Sequence, residues 1–135
     1  MRFVLDTSIA ACWCFHDEED ARADAAFALL QNESEAVTPV LFWFEIRNAV
    51  LLGVRRNRIK EREMTTFLSR LENMMIGFAT LSGGAAALEL AGRHSLSFYD
   101  AAYLELAMRE GCALATLDKA LTHAATAEGI PLIGV

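Results

Sequence analysis

The chain predicts an α/β domain: a parallel β-sheet sandwiched between α-helices in a Rossmann-like, three-layer arrangement. Three observations point there. Short apolar runs alternate with longer helical patterns from end to end. The hydrophobic fraction, 54% of residues, is spread through the chain, and Glu45, Arg47 and Asn48 break the longest apolar stretch well before the roughly 18 residues of a membrane span. At 135 residues there is material for one core and not for two, so residues 1–135 are read as a single domain.

The elements follow in order. "RFVL" at 2–5 reads as a buried first strand and ends abruptly on Asp6, with a short helix expected from about Ser8. Asp17 to Leu30 carries Ala21, Ala25, Ala28 and Leu29 behind an acidic first turn, which suits a surface helix. "EAVT" at 35–38 is the second strand. Thr38 is then the expected N-cap and Pro39 the first residue of a helix reaching Arg56, apolar almost all round and therefore buried or in an interface. After a break at "RNR", Lys60 to Met75 is an amphipathic helix that completes a helical hairpin. "FATL" at 78–81 is the third strand, Gly83 to His94 and Ser97 to Arg109 are helices, and "ALAT" at 113–116 is the fourth strand. Asp118 to Glu128 is the last helix, and "PLIGV" at the end is a fifth strand.

Net charge is −6, which argues against a nucleic-acid binder working by general attraction; function must come from local sites. Cys12, Cys14 and Cys112 are odd in number and lack CxxC spacing, so they read as small buried hydrophobes and not as a disulfide frame or zinc site. The start "MRFVLD" is too short and too soon acidic for a signal peptide. A cytoplasmic protein with no membrane partner is expected.

In open parallel sheets the working residues gather beyond the carboxyl ends of the strands. Asp6 follows the first strand, Asp118 follows "ALAT", Asp100 lies one turn into a helix, and Glu45 sits mid-helix among Phe42, Trp43, Phe44 and Ile46. Asp6, Asp100 and Asp118 each have a reading as a helix cap. Glu45, mid-helix, does not: a lone carboxylate among these apolar neighbours costs several kcal/mol unless it is paired, protonated or bound to a cation, or unless this face of the helix reaches solvent. Asn48 shares its helix face and is expected to orient it. Carboxylates brought together repel unless a cation neutralises them, and oxygen ligands without His or Cys suit Mg²⁺ or Mn²⁺, one ion or two. Ser8 or Thr7 beside Asp6, and Thr116 before Asp118, are placed to hold a water or a phosphate oxygen, although capping and turn bonding suit Thr7 better. His16, His94 and His123 show no ligand spacing.

The stretches "VLDTSIAACWCFHDEE", "WFEIRNAVL" and "LSFYDAAYLELAMREGCALATLDKAL", in this order and spacing, resemble a PIN-domain ribonuclease of the VapC toxin type along essentially the whole chain. The resemblance implies a metal site at Asp6, Glu45, Asp100 and Asp118, with Thr116 as the hydroxyl residue before the last acid. It further implies metal-dependent endonucleolytic cleavage of RNA, often tRNA or rRNA, restraint by a VapB-like antitoxin, and a homodimer.

The densest basic stretch, "RRNRIKER" at 55–62, offers Arg55, Arg56 and Arg58 as contacts to an RNA backbone or an antitoxin's acids, against the plainer reading of a solvated turn. The apolar surplus around Phe42, Trp43 and the 60–75 helix suggests a covering partner. Two other classes fit less well: a non-catalytic PIN-like binding module, and a phosphoacceptor receiver, which would need an acidic pair where this chain has "DTS" and a Lys where it has "PLIGV".

Overall fold

Four parallel strands, β1 (Arg2–Leu5), β2 (Glu35–Pro39), β3 (Ile76–Ala79) and β4 (Ala113–Ala115), form one sheet in the order β3-β2-β1-β4. The computed structural model describes all 135 residues. Seven helices pack around the sheet: α1 (Thr7–Cys14), α2 (Ala21–Gln31), α3 (Leu41–Arg55), α4 (Glu61–Glu72), α5 (Ala85–His94), α6 (Phe98–Glu110) and α7 (Lys119–Ala127). Successive strand side chains point to opposite faces, and Phe3, Val4 and Leu5 are all buried, so β1 is covered on both sides. Helix α6 lies against β1, β2 and β4 and is backed by α5 and α7, while α2 lies against β2 and β4. No helix is long and apolar enough to cross a membrane.

The order places β1 at a switch point. The chain leaves β1 for β2 on one side and returns as β4 on the other, which opens a crevice between the carboxyl ends of β1 and β4.

Several boundaries differ from the expected ones. Helix α2 starts at Ala21 because the Asp20 carboxylate caps it, accepting from the Arg22 N–H at 2.8 Å, so Asp17 stays outside in the preceding loop. Thr38 and Pro39 belong to β2 and not to the helix. Pairing with β1 has already ended at Val37, so the missing N–H of Pro39 costs that ladder nothing, and pairing with β3 carries on through Thr38 and Pro39. That register also moves β3 to Ile76–Ala79, two residues earlier than expected, and leaves Leu81 exposed. The closing "PLIGV" makes one bridge, Leu132 with Leu114, and no strand. Pro131 has no N–H to donate, and Gly134 turns away at φ 76°, where a Cβ would come within 2.8 Å of the Arg22 Cα.

Helix α3 is not buried all round. Phe42, Ile46, Val50 and Gly53 form its buried stripe, whereas Trp43 and Phe44 are 44% and 62% exposed, with the Arg47 guanidinium 3.9 Å above the Trp43 ring. Cys12, Cys14 and Cys112 are all free thiols.

Candidate functional site

Asp6 marks the β1–β4 crevice: its backbone N–H donates to the Ala115 carbonyl of β4 at 3.0 Å. It occupies the N-cap position of α1, yet its carboxylate makes no capping bond. Instead Oδ2 accepts from Ser8 Oγ at 2.6 Å and from Thr116 Oγ1 at 2.7 Å, while Oδ1 has no partner. The same two hydroxyls accept from the backbone N–H groups of Leu117 and Asp118, at 2.9 and 3.1 Å, and so fasten the loops after β1 and β4 to each other. Burial pushes the Asp6 carboxyl up to about 6; the Ser8 and Thr116 hydroxyls oppose the rise, and the charges of Glu45 and Asp100 add to it.

Glu45 is brought in by α3, whose buried stripe orients this face toward the core. Its Oε1 accepts from the Tyr103 hydroxyl at 2.6 Å and from Thr7 Oγ1 at 3.0 Å, and those two hydroxyls stand 3.0 Å apart. The expected partner, Asn48, is exposed and makes no bond to Glu45. Side chains arriving from α1 and α6 reach the carboxylate from the interior, whereas the next turn of α3 at Asn48 faces water.

Asp100 lies in the first turn of α6. The Ser97 Oγ accepts from its backbone N–H at 3.1 Å, so the serine caps the helix and the aspartate need not. Burial raises the Asp100 carboxyl above its ordinary value, the nearby Asp118 raises it further, Ser97 lowers it, and Glu45 adds a smaller rise. Asp118 does cap α7, accepting from the Leu121 N–H at 2.8 Å through Oδ2 alone.

A common pattern emerges. Asp6, Glu45 and Asp118 each give one carboxylate oxygen to the chain's own hydroxyl or N–H donors and keep the other free. No polar side-chain atom sealed from solvent lacks a partner, so those free oxygens are open to water. None of the four acids forms a salt bridge, although eleven such contacts are distributed over the rest of the molecule. As they stand, no three acidic, imidazole or thiol side chains are close enough to cage an ion. The donor chemistry nevertheless fits a hard divalent cation: carboxylate and hydroxyl oxygens, free lone pairs, mutual repulsion and no salt bridge to an arginine or lysine, the nearby Arg22 being paired with Asp20.

The other sequence candidates fall elsewhere. Arg58 is used within the chain: its guanidinium donates to Asp17 at 2.9 Å and Glu18 at 2.8 Å and lies 3.9 Å above the Phe15 ring. It braces the α3–α4 turn to the loop before α2. Arg55 and Arg56 are exposed. His16 and His94 bond to Glu63 and Glu128, away from the acids.

Tyr103 is not among the residues the sequence marks, and Thr7, a candidate hydroxyl for which turn bonding is the better sequence fit, bonds Glu45 instead. The signal for Tyr103 was its spacing: three residues after Asp100 on one helix, it shares that residue's face.

Residues 3–127 match the PIN domain family. The chain is 31% identical over 126 residues to ribonuclease VapC3 of Pyrobaculum aerophilum, covering 91% of this chain and 94% of that one. Among solved structures, a Pyrobaculum aerophilum protein superposes with a TM-score of 0.68 at 18% identity, over 92% of this chain and 84% of that one. VapC20 of Mycobacterium tuberculosis, a toxin that cleaves the sarcin–ricin loop, superposes with a TM-score of 0.64 at 20% identity, over 90% of this chain and 94% of that one.

Proposed function

The chain belongs to the PIN-domain family, with a VapC ribonuclease as a relative over nearly its whole length, and on that premise we propose that it is a divalent-metal-dependent endoribonuclease, the toxin of a VapBC-type pair acting in the cytoplasm. The observation that carries this reading is the set of half-free carboxylates about the β1–β4 switch point, none of them in a salt bridge.

Asp6, Glu45, Asp100 and Asp118 would hold Mg²⁺ or Mn²⁺. Such an ion supplies activation of water and stabilisation of the charge that develops on phosphodiester oxygens. The chain's own residues supply position. Ser8 and Thr116 lock Asp6 to both loops of the crevice, Thr7 and Tyr103 hold one oxygen of Glu45, and the cap bond to Leu121 fixes Asp118. A free carboxylate oxygen in this arrangement can also orient the attacking water or take up its proton.

The partners are an RNA, with tRNA and rRNA the first to try, and a VapB-like antitoxin. The exposed Trp43, Phe44 and Phe78 give an apolar surface suited to a second copy of the chain or to that antitoxin.

Cleavage of total RNA and of tRNA by the purified, antitoxin-free protein tests the proposal, with Mg²⁺ or Mn²⁺, with EDTA, and beside a folded Asp100→Asn control. Discrete fragments requiring both metal and Asp100 are expected. A folded, Mn²⁺-binding wild type that produces none would leave a non-catalytic PIN-like binding module.

A further inference from the structure

We infer that Tyr103 and Thr7 are positioning residues that aim Glu45 into the acidic crevice; this rests on the metal-dependent reading above and assigns it two residues from outside the carboxylate set. The geometry is a triangle of oxygens. Tyr103 Oη stands 2.6 Å from Glu45 Oε1, Thr7 Oγ1 stands 3.0 Å from the same atom, and the two hydroxyls are 3.0 Å apart. Two hydroxyl protons serve three contacts. The short Tyr103 bond takes one proton, and the Thr7 proton is shared between Glu45 Oε1 and the tyrosine oxygen.

Three features make this more than satisfaction of a buried tyrosine. Tyr103 is the largest fully buried side chain in the molecule, so packing confines its ring and holds its hydroxyl beside Glu45 and Thr7. The triangle joins three separate elements, α1, α3 and α6, with contacts 38, 58 and 96 positions apart in sequence. Both hydroxyl residues also sit near a second acid: Thr7 follows Asp6, and Tyr103 lies one helical turn beyond Asp100. Holding Oε1 from the interior leaves Oε2 as the only free face of Glu45. Groups that orient a ligand in this way typically matter 10–100-fold for metal affinity or activity.

A tyrosine that merely needed a buried acceptor would be indifferent to whether Glu45 works. The discriminating variants are therefore Tyr103→Phe, which keeps the ring, and the pair Thr7→Val and Thr7→Ser, which removes and then restores a hydroxyl on a partly exposed residue. Two readouts are taken on the full chain: Mn²⁺ dissociation constant by calorimetry or electron paramagnetic resonance, and the rate of tRNA cleavage at saturating Mn²⁺. Expected are a Mn²⁺ affinity about tenfold weaker in Tyr103→Phe and in Thr7→Val, cleavage at least tenfold slower in both, and recovery to within about threefold of wild type in Thr7→Ser.

Affinity and rate within twofold of wild type in both Tyr103→Phe and Thr7→Val would overturn the inference, as would a Thr7→Ser variant no better than Thr7→Val. Should Tyr103→Phe fail to fold, the Thr7 pair decides. A wild type that binds Mn²⁺ but cuts no RNA defeats the ribonuclease reading alone, and the Mn²⁺ constants still judge the positioning role. A wild type that binds no Mn²⁺ defeats both.

Discussion

Two groups of acidic side chains in this molecule are handled in opposite ways. Where α5 meets the end of α7, Glu128 accepts from His94 at 2.6 Å and from Arg93 at 2.8 Å, and those two bonds hold its carboxyl below the usual range. At the α3–α4 turn, Arg58 does the same for Asp17. At the carboxyl edge of the sheet the direction reverses. Burial and neighbouring acids raise both Asp6 and Asp100, and no arginine, lysine or histidine forms an ion pair there. The chain pairs carboxylates with cations at these two places and leaves Asp6 and Asp100 without an ion pair at the edge of the sheet, a contrast that the proposed metal site would explain.

The comparison can be broken most directly at Asp100. Asp100→Asn is expected to lower metal-dependent cleavage by roughly 10²–10³-fold while leaving the circular dichroism spectrum unchanged, since the helix cap belongs to Ser97. A variant that still cuts at the wild-type rate would remove Asp100 from the site.

Asp6 sharpens the contrast through stability. Its carboxyl is raised from 3.8 to about 6, so the folded state prefers the protonated form. That contribution is complete below the ordinary value and is lost as pH rises through about 6. In EDTA the melting temperature should therefore fall between pH 4 and pH 6 and level off above. Asp6→Asn should raise it at pH 7, by an amount of stability no larger than about 3 kcal/mol, while cleavage is lost. A lower melting temperature in metal-free Asp6→Asn would show that the carboxylate is held for structure after all.

At the opposite pole, Glu128→Gln removes a paired acid. It is expected to lower the melting temperature by a few degrees at most and to leave cleavage untouched, as read by scanning fluorimetry beside the RNA assay. Arg58→Ala should have the smallest effect of all, a slight loss of thermal stability with cleavage intact, because exposed ion pairs contribute little. If RNA binding weakens instead, the arginine serves the substrate as well as the turn.

The metal candidates illustrate why some residues could be read from the chain and others not. Asp6, Asp100 and Asp118 sit at strand ends and helix starts, positions that local patterning marks. Glu45 was conspicuous because a carboxylate amid Phe42, Phe44 and Ile46 conflicts with its neighbours. Helical spacing points to Asn48 as the residue that orients it, but spacing within α3 says nothing of what α1 and α6 bring to the same point. Arg58 was legible as a cation, but its attachment to Asp17 and Glu18, 41 and 40 positions away, was not.

By itself the sequence determined the alternation of strands and helices, the single parallel sheet, and an acid directly after each of two strands, Asp6 and Asp118, because periodicity, capping and strand–helix order are properties of neighbouring residues. Only the tertiary structure decided that β3 pairs two residues early, that "PLIGV" adds one bridge and not a strand, and that Glu45 rests on Thr7 and Tyr103. Those outcomes depend on register and on contacts 38 to 96 residues apart, which come into being only when the crossovers close.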